Sequence, residues 1–496
     1  MAKQESNMFT GKETVKELEK LLRKDSDAYF YLGRNYQNGL NDTKIDQIKA
    51  NGYYHEGYKK GSAKCAYGLA LCHESGICAE KNRGMATKYF TEAFPKLLEE
   101  AKAGNMFSQN CIGNYYRCGD MGLGKDSERA AEWYLKAAEQ GEIRAQYNLG
   151  VALELGDGVE QDYNKAADWH LKASAQGLMQ AQYRTGALYA SGRCGEQNWI
   201  KAVEWYTKAA EQGSARAQNA LGQCYYYGQG AEQDYAKAAE WFAKAAQQGL
   251  VDAKCFLGDC CHSGNGVEQD YLKAVALYTD AAKQGYAQAQ YNLAICCKKG
   301  RGITLNHQKA AEWYTKAAEQ GNAQAQEDLA NCYFCGQGVV KDYEKAVEWY
   351  AKAAEQGLAA AQVDLGVCYK EGKGVKHSNA KAAEWFTKAA EQGYAEGQYQ
   401  LANCYDRNLR GASHSFADAA GLYAKAAEQG LPEAQYHLAV YYENGLGVNK
   451  SLDQAKEWYA MAAEQGEPHA ADALKRLERQ GKEKSSSYLK SVIVRD

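Results

Sequence analysis

Proline is almost missing from this chain, with three residues in 496. A sequence so poor in proline has no polyproline spacer, and no Ser/Pro-rich stretch marks a boundary between domains. Long apolar runs are also missing. None approaches the 18 consecutive apolar residues of a membrane-spanning helix, which excludes that class. The opening MAKQESNMFTGKETVKELEK lacks the apolar core of a signal peptide, so the expected location is the cytoplasm, with export by a non-standard route left open. Neither sign of charge dominates: 59 Lys and Arg stand against 62 Asp and Glu, a net charge of −3, and the two are interspersed. Nucleic acid and anionic membrane surfaces both call for a concentrated basic face, and neither is expected as a partner. No HExxH, G-x-S-x-G or dinucleotide fingerprint occurs, so no catalytic residue or cofactor is assigned.

What is abundant is alanine and Glu/Lys/Gln-rich sequence, the composition of an all-helical protein. The hydrophobic fraction of 45% is sufficient for a core and argues against wholesale disorder. The decisive feature is repetition. AEWYLKAAEQG ends at Gly141, AVEWYTKAAEQG ends at Gly213, and close variants end at Gly321, Gly357 and Gly393. The series of terminal glycines is Gly61, Gly104, Gly141, Gly177, Gly213, Gly249, Gly285, Gly321, Gly357, Gly393, Gly430 and Gly466. From Gly141 to Gly393 every interval is 36 residues.

Each unit reads as two helices. The first, as across Arg144 to Leu155, carries an apolar stripe of Ala145, Leu149, Gly150 and Leu153. A turn with Gly156, Gly158 and Val159 follows, and the second helix runs from after Asp162 to Gly177. The residue before the second helix is Asp46, Asn82, Asp126, Asp162, Asn198, Asp234, Asp270, Asn306, Asp342, Ser378, Ser415 or Ser451 in successive units. All twelve have side chains able to cap free backbone N–H groups. The closing glycine suits the left-handed position after a helix. In the second helix, Trp133, Trp169, Trp205, Trp241, Trp313, Trp349, Trp385 and Trp458 share one position, filled by Tyr53, Tyr89, Leu277 and Leu422 elsewhere. These are read as the large knobs buried between stacked units, with small alanines around them. Helices packed at ~8–10 Å would build a curved rod.

The pattern A-x-x-x-L-G-x-x-Y-x-x-G-x-G-V-x-x-D-x-x-K-A-x-x-W-Y-x-K-A-A-E-Q-G resembles the Sel-1-like repeat, a relative of the tetratricopeptide repeat. Ala217 to Gly249 and Ala325 to Gly357 follow it nearly throughout. The resemblance implies an all-α, right-handed superhelical solenoid of about twelve helix-turn-helix repeats. The expected organisation is a capping helix in 1–27, repeats over 28–466, a second capping helix in 467–480 and a flexible tail over 481–496. The first two units depart most: tyrosine replaces tryptophan, Gly57 is expected to interrupt one helix, and Pro95 accompanies an insertion.

Two candidate chemistries remain. GDMGLGKD (Gly119 to Asp126) has P-loop spacing, but Asp126 stands where magnesium needs Ser or Thr and no strand precedes it, so it reads as an inter-helix turn. Cysteines recur every 36 residues at Cys224, Cys260, Cys296, Cys332, Cys368 and Cys404, with Cys72 as their counterpart. Equivalent positions ~8–10 Å apart are too distant for disulfides, which points to a line of small buried side chains. The sharper alternative is thiol or metal chemistry at Cys260, Cys261, His262, Cys296 and Cys297, with Cys332 and Cys335 nearby.

The resemblance places the first helices on the concave side and implies an adaptor role. One position there reads Tyr147, Tyr183, Asn219, Cys255, Tyr291, Glu327, Val363, Tyr399 and Tyr436 along the stack. Another reads Glu154, Ala190, Tyr226, His262, Lys298, Phe334, Lys370, Asp406 and Glu443. Framework positions repeat while these vary. Tyr147, Tyr183, Tyr226, Tyr291, Lys298, Phe334, Lys370, Tyr399 and Tyr436 are therefore the candidate partner-binding residues, suited to proteins or peptides and not to a small-molecule substrate. The resemblance also admits a hydrolase reading, since a cysteine-rich branch of the family has been proposed to handle β-lactams. This chain lacks that branch's paired bridging cysteines.

Overall fold

The computed structural model of the protein describes residues 13–38, 43–44, 46–119, 124–406 and 415–479. It divides into two compact units, 1–250 and 251–496. The first holds a short helix, Val15–Leu21, and then six helix pairs: Asp27–Asn38 with Gln47–Lys59, Ala63–Ser75 with Arg83–Lys102, Met106–Cys118 with Ser127–Glu139, Ile143–Leu155 with Tyr163–Ala175, Met179–Ser191 with Trp199–Glu211, and Ala215–Tyr227 with Tyr235–Gln247. The second holds six more: Val251–Ser263 with Tyr271–Lys283, Ala287–Lys299 with His307–Glu319, Ala323–Cys335 with Tyr343–Glu355, Ala359–Glu371 with Asn379–Glu391, Ala395–Asp406 with Phe416–Glu428, and Pro432–Asn444 with Leu452–Glu464. A helical run over 470–479 follows. Within each unit a helix packs on the one before it and the one after it. No strand occurs among the described residues.

Local chemistry sets the helix limits. All twelve residues expected to cap the second helices do so: each side-chain oxygen accepts the N–H three residues on, as Asp162 does from Lys165 at 2.9 Å. The twelve closing glycines all lie at positive φ, between 80° and 100°. The second glycine of the G-x-G turn has a further reason to be glycine. A Cβ on Gly158 would run into the backbone of Ser127, and one on Gly338 into that of His307. The turn of each of these repeats thus lies directly on the start of the preceding second helix.

The tryptophans are not the buried knobs. All eight are half-buried, and the residue that follows each position fills the core in every repeat: Tyr54, Phe90, Tyr134, His170, Tyr206, Phe242, Tyr278, Tyr314, Tyr350, Phe386, Tyr423 and Tyr459. The next position lies about 100° further round the helix, enough to exchange an inward for a sideways direction. Seven tryptophans instead carry the lysine three residues on over their rings, at 3.7–4.5 Å. The inward ring needs room, and a small residue on the partner helix provides it, glycine at Gly150, Gly186 and Gly222 and alanine at Ala294, Ala330, Ala402 and Ala439. A Cβ at Gly222 would lie 2.7 Å from Phe242, and one at Gly186 would lie 2.6 Å from Tyr206.

The irregular start differs from expectation in two places. Gly57 does not interrupt its helix, which runs unbroken over Gln47–Lys59. It is buried against Cys65 and Tyr29, where a Cβ would collide. The insertion at Pro95 lengthens a helix, Arg83–Lys102, to 20 residues where the other second helices have 13. Residues 120–123 of the P-loop-like stretch and the tail over 481–496 lie outside the described residues.

Two ladders run through the stacks. Cys224, Cys260, Cys296, Cys332, Cys368 and Cys404 are all buried thiols, and burial pushes those of Cys224 and Cys296 up to about 11. The other ladder is glutamine. Gln326 donates to the Ala318 carbonyl at 3.0 Å and accepts from Gln356 at 2.7 Å. The same relay appears at Gln146, Gln182, Gln218, Gln290, Gln362 and Gln435, tying the end of each second helix to the repeat before it. Where Lys254 replaces that glutamine, its ammonium pairs with Asp280 at 2.6 Å and Gln284 turns to Asp280 as well.

Candidate interaction surface

The first helices show an inward stripe to their partners and leave an outer face. All nine candidate residues lie half-buried on it. The five tyrosines of the first position each lie against the buried ring of their own repeat. Tyr147 is 5.5 Å from His170, Tyr183 5.9 Å from Tyr206, Tyr291 5.9 Å from Tyr314, Tyr399 6.0 Å from Tyr423, and Tyr436 5.6 Å from Tyr459. One side of each ring is therefore framework, and Tyr399 and Tyr436 also lie against His437, at 5.7 Å and 5.6 Å. Asn219, Cys255 and Val363, which share the position, are buried and offer no surface.

The second position is more varied. Tyr226 packs edge-on against Tyr235 at 5.1 Å, and Phe334 against Tyr343 at 5.0 Å. Lys298 pairs with Asp328 at 2.8 Å, and Lys370 donates to Gln400 at 3.1 Å. These contacts between neighbouring first helices hold the charged ends in place.

The unit over 251–496 carries carboxylates in this face. Asp364 is pushed up to about 7 by burial, reinforced by Glu327 and Glu396, and Glu327 is itself raised by burial and by Asp328. Burial pushes Asp259 up to about 6, although Tyr278 donates to it at 2.7 Å and Asn292 at 2.8 Å. A neighbouring cation would relieve each of these.

The unit over 1–250 is different. Its first helices, with Tyr54 and Phe90 from second helices, line a cavity of about 300 Å³ reaching from Phe30 to Gln180, with Tyr147 in the wall. Arg34, Arg117 and Arg144 line it, together with Asn110, Asn114 and Asn148. Sequence reading did not find it. Tyr67 and Asn110 occupy the register of Tyr147, but the positions were compared only from the regular repeats onward.

The cysteine-rich segment offers little to a metal. Cys260, Cys261, Cys296 and Cys297 are buried with raised thiols, while Cys335 is exposed. His262 packs on Tyr271 at 5.1 Å. Among the described residues no group of three or more His, Cys, Asp or Glu side chains could hold a metal ion. No described helix is long and apolar enough to cross a membrane.

The Sel1 repeat matches over 26–62, 63–94, 108–142, 143–178, 180–214, 215–250, 251–286, 287–322, 323–358, 359–394, 395–431 and 432–467. Among solved structures, a protective antigen present in uropathogenic Escherichia coli strains and displaying an SLR fold is 32% identical, covers 93% of this chain and 97% of its own, and superposes with a TM-score of 0.64. A Sel1 repeat protein from Oxalobacter formigenes is also 32% identical, over 62% of this chain and 89% of its own, with a TM-score of 0.50. The curated proteins give no match.

Proposed function

The chain belongs to the Sel1 repeat family, and from that premise we propose that it is a non-catalytic scaffold that holds partner proteins or peptides along the outer face of its first helices. Such repeats generally serve as protein-interaction scaffolds. The observation that carries the reading is the division of labour within each repeat. Caps, turn glycines, the inward ring and the glutamine relay scarcely change, while the half-buried positions beside them carry tyrosine, phenylalanine, lysine or carboxylate. Rigid aromatic rings with one wet edge provide contact area at small cost in side-chain entropy. They are held by neighbours, so a partner meets a face already arranged.

The test is a quantitative pull-down from native lysate with wild type and a variant carrying Tyr183→Ala, Tyr291→Ala and Tyr399→Ala, matched by circular dichroism. Partners lost from the variant alone support the reading. Equal recovery of the same partners would move binding away from this face.

A further inference from the structure

We propose that the cavity in the unit over 1–250 is a receptor for the C-terminal carboxylate of a partner chain whose last side chain is bulky and apolar. The inference rests on the scaffold reading for the source of the carboxylate, and on the cavity for its chemistry.

The floor is made of rings: Phe30, Tyr54, Tyr67, Phe90, Phe107 and Tyr115. Phe30 and Phe107 lie 4.5 Å apart, and Tyr67 and Tyr115 lie 5.6 Å apart. At about 300 Å³ the space is at the small end of ligand sites, room for one or two residues and not for a long segment. It reaches the surface beside Arg117 and Cys118, both exposed.

Charge selects the other half of the ligand. Arg34, Arg117 and Arg144 line the cavity, against Glu74 alone among the described carboxylates. Glu142 approaches Arg34 at 3.6 Å, but its other oxygen accepts from the Ala145 N–H at 2.6 Å and caps a helix. Among the described residues the lining is richer in cations than in carboxylates, which suits an anion. Burial, with Arg34 close by, holds Arg144 below the usual guanidinium range, as expected where positive charges crowd. The Arg34 guanidinium lies over Phe107 at 5.6 Å.

The polar groups are arranged in advance. Asn148 donates to Asn110 at 3.0 Å and to Asn114 at 3.3 Å. Asn114 in turn donates to the Tyr67 hydroxyl at 2.9 Å and accepts from Tyr134 at 2.7 Å. A network fixed in this way requires little reorganisation when a carboxylate enters beside the guanidinium groups. Among the described residues no other repeat assembles this set. Asn110, Asn114 and Arg117 belong to one first helix, and the registers of Asn114 and Arg117 hold Val151 and Glu154 in the next repeat.

Calorimetry on the full chain tests the proposal, with N-acetyl-phenylalanine, its carboxamide, a hexapeptide ending in free phenylalanine and inorganic phosphate as probes. The free acid and the hexapeptide should bind, and the carboxamide at least about tenfold more weakly, because the charge-assisted bonds are gone. Arg144→Gln and, separately, the exposed Arg117→Gln should each weaken the free acid severalfold with an unchanged circular dichroism spectrum. Equal binding of acid and carboxamide, or no binding of either, would overturn the proposal. Phosphate binding as well as the acid would make the site a plain anion site. A hexapeptide weaker than the free acid would make the occupant a small free acid. If the pull-down partners are lost from the tyrosine variant while no probe binds, this inference fails and the scaffold reading stands. If the probes bind but the tyrosine variant keeps every partner, partner binding lies away from the tyrosine face and the cavity proposal stands.

Discussion

Changing Gln326 to glutamate isolates the glutamine relay. Gln326 is 4% exposed, donates to the Ala318 carbonyl and accepts from Gln356. A carboxylate keeps the size and the acceptor but loses the donor, so two oxygens face each other inside the stack. An unsatisfied buried acceptor costs about 1–3 kcal/mol, and the added charge brings Gln326→Glu to about 3 kcal/mol. At 1.36 kcal/mol per unit, that penalty lifts the new carboxyl from its unfolded value of about 4.3 to roughly 6.5 in the folded state. The sign follows from linkage. The folded state binds the proton more tightly, so the deficit is full above the folded value, shrinks as pH falls, and is gone below the unfolded value. The assay is urea unfolding of the full chain by circular dichroism at about pH 4.5 and about pH 8, with amide exchange in Ala323–Cys335 and Tyr343–Glu355 because repeats can open regionally. Gln326→Met serves as the control, with a loss of about 1–3 kcal/mol that does not vary with pH. A Gln326→Glu loss under about 0.5 kcal/mol, or one equal at both pH values, would refute the relay.

Three further outcomes follow. Asp364, raised to about 7 from 3.8, weakens the fold as pH climbs between these values, so Asp364→Asn should gain up to about 4 kcal/mol near pH 8 and nothing below about pH 4, read by the same unfolding curves. Gly338→Ala should cost about 3 kcal/mol or more in thermal melts, because strained φ and the His307 backbone act together, whereas Gly321→Ala, strained but in open space, should cost about 1–2 kcal/mol. Tyr350→Ala should cost about 3–5 kcal/mol and Trp349→Ala about 1–2 kcal/mol by denaturant titration, an order that reverses if tryptophan is the true knob.

The parts of the fold legible in the sequence were those governed by short-range rules. A capping oxygen three residues before the N–H it serves, or a glycine at positive φ, leaves the same mark in every repeat, and both series were found complete. The cysteine ladder was readable for the same reason. The inward ring was misplaced because Trp and Tyr are adjacent in the W-Y pair, and a repeat of 36 residues gives both the same periodicity. Which of them turns inward depends on how the second helix sits on its partner helix, whose facing residue is a small glycine or alanine, a tertiary contact. The glutamines passed as helix formers, since a buried amide relay between repeats has no local signature. On the outer face the variable tyrosines were identified, but Asn219, Cys255 and Val363 share their register and are buried, because depth depends on the neighbouring helix. The arginine cavity was missed where the insertion and the long helix over Arg83–Lys102 shift the register.

The scaffold reading is tested most directly by a photo-crosslinking amino acid placed at Tyr183 or Tyr291, on the outer face of the first helices, and in parallel at Glu204 or Glu312, exposed on the second helices. The account predicts that the same partner proteins crosslink from Tyr183 or Tyr291 and not from Glu204 or Glu312. Crosslinks confined to Glu204 and Glu312, with Tyr183 and Tyr291 silent, would contradict it.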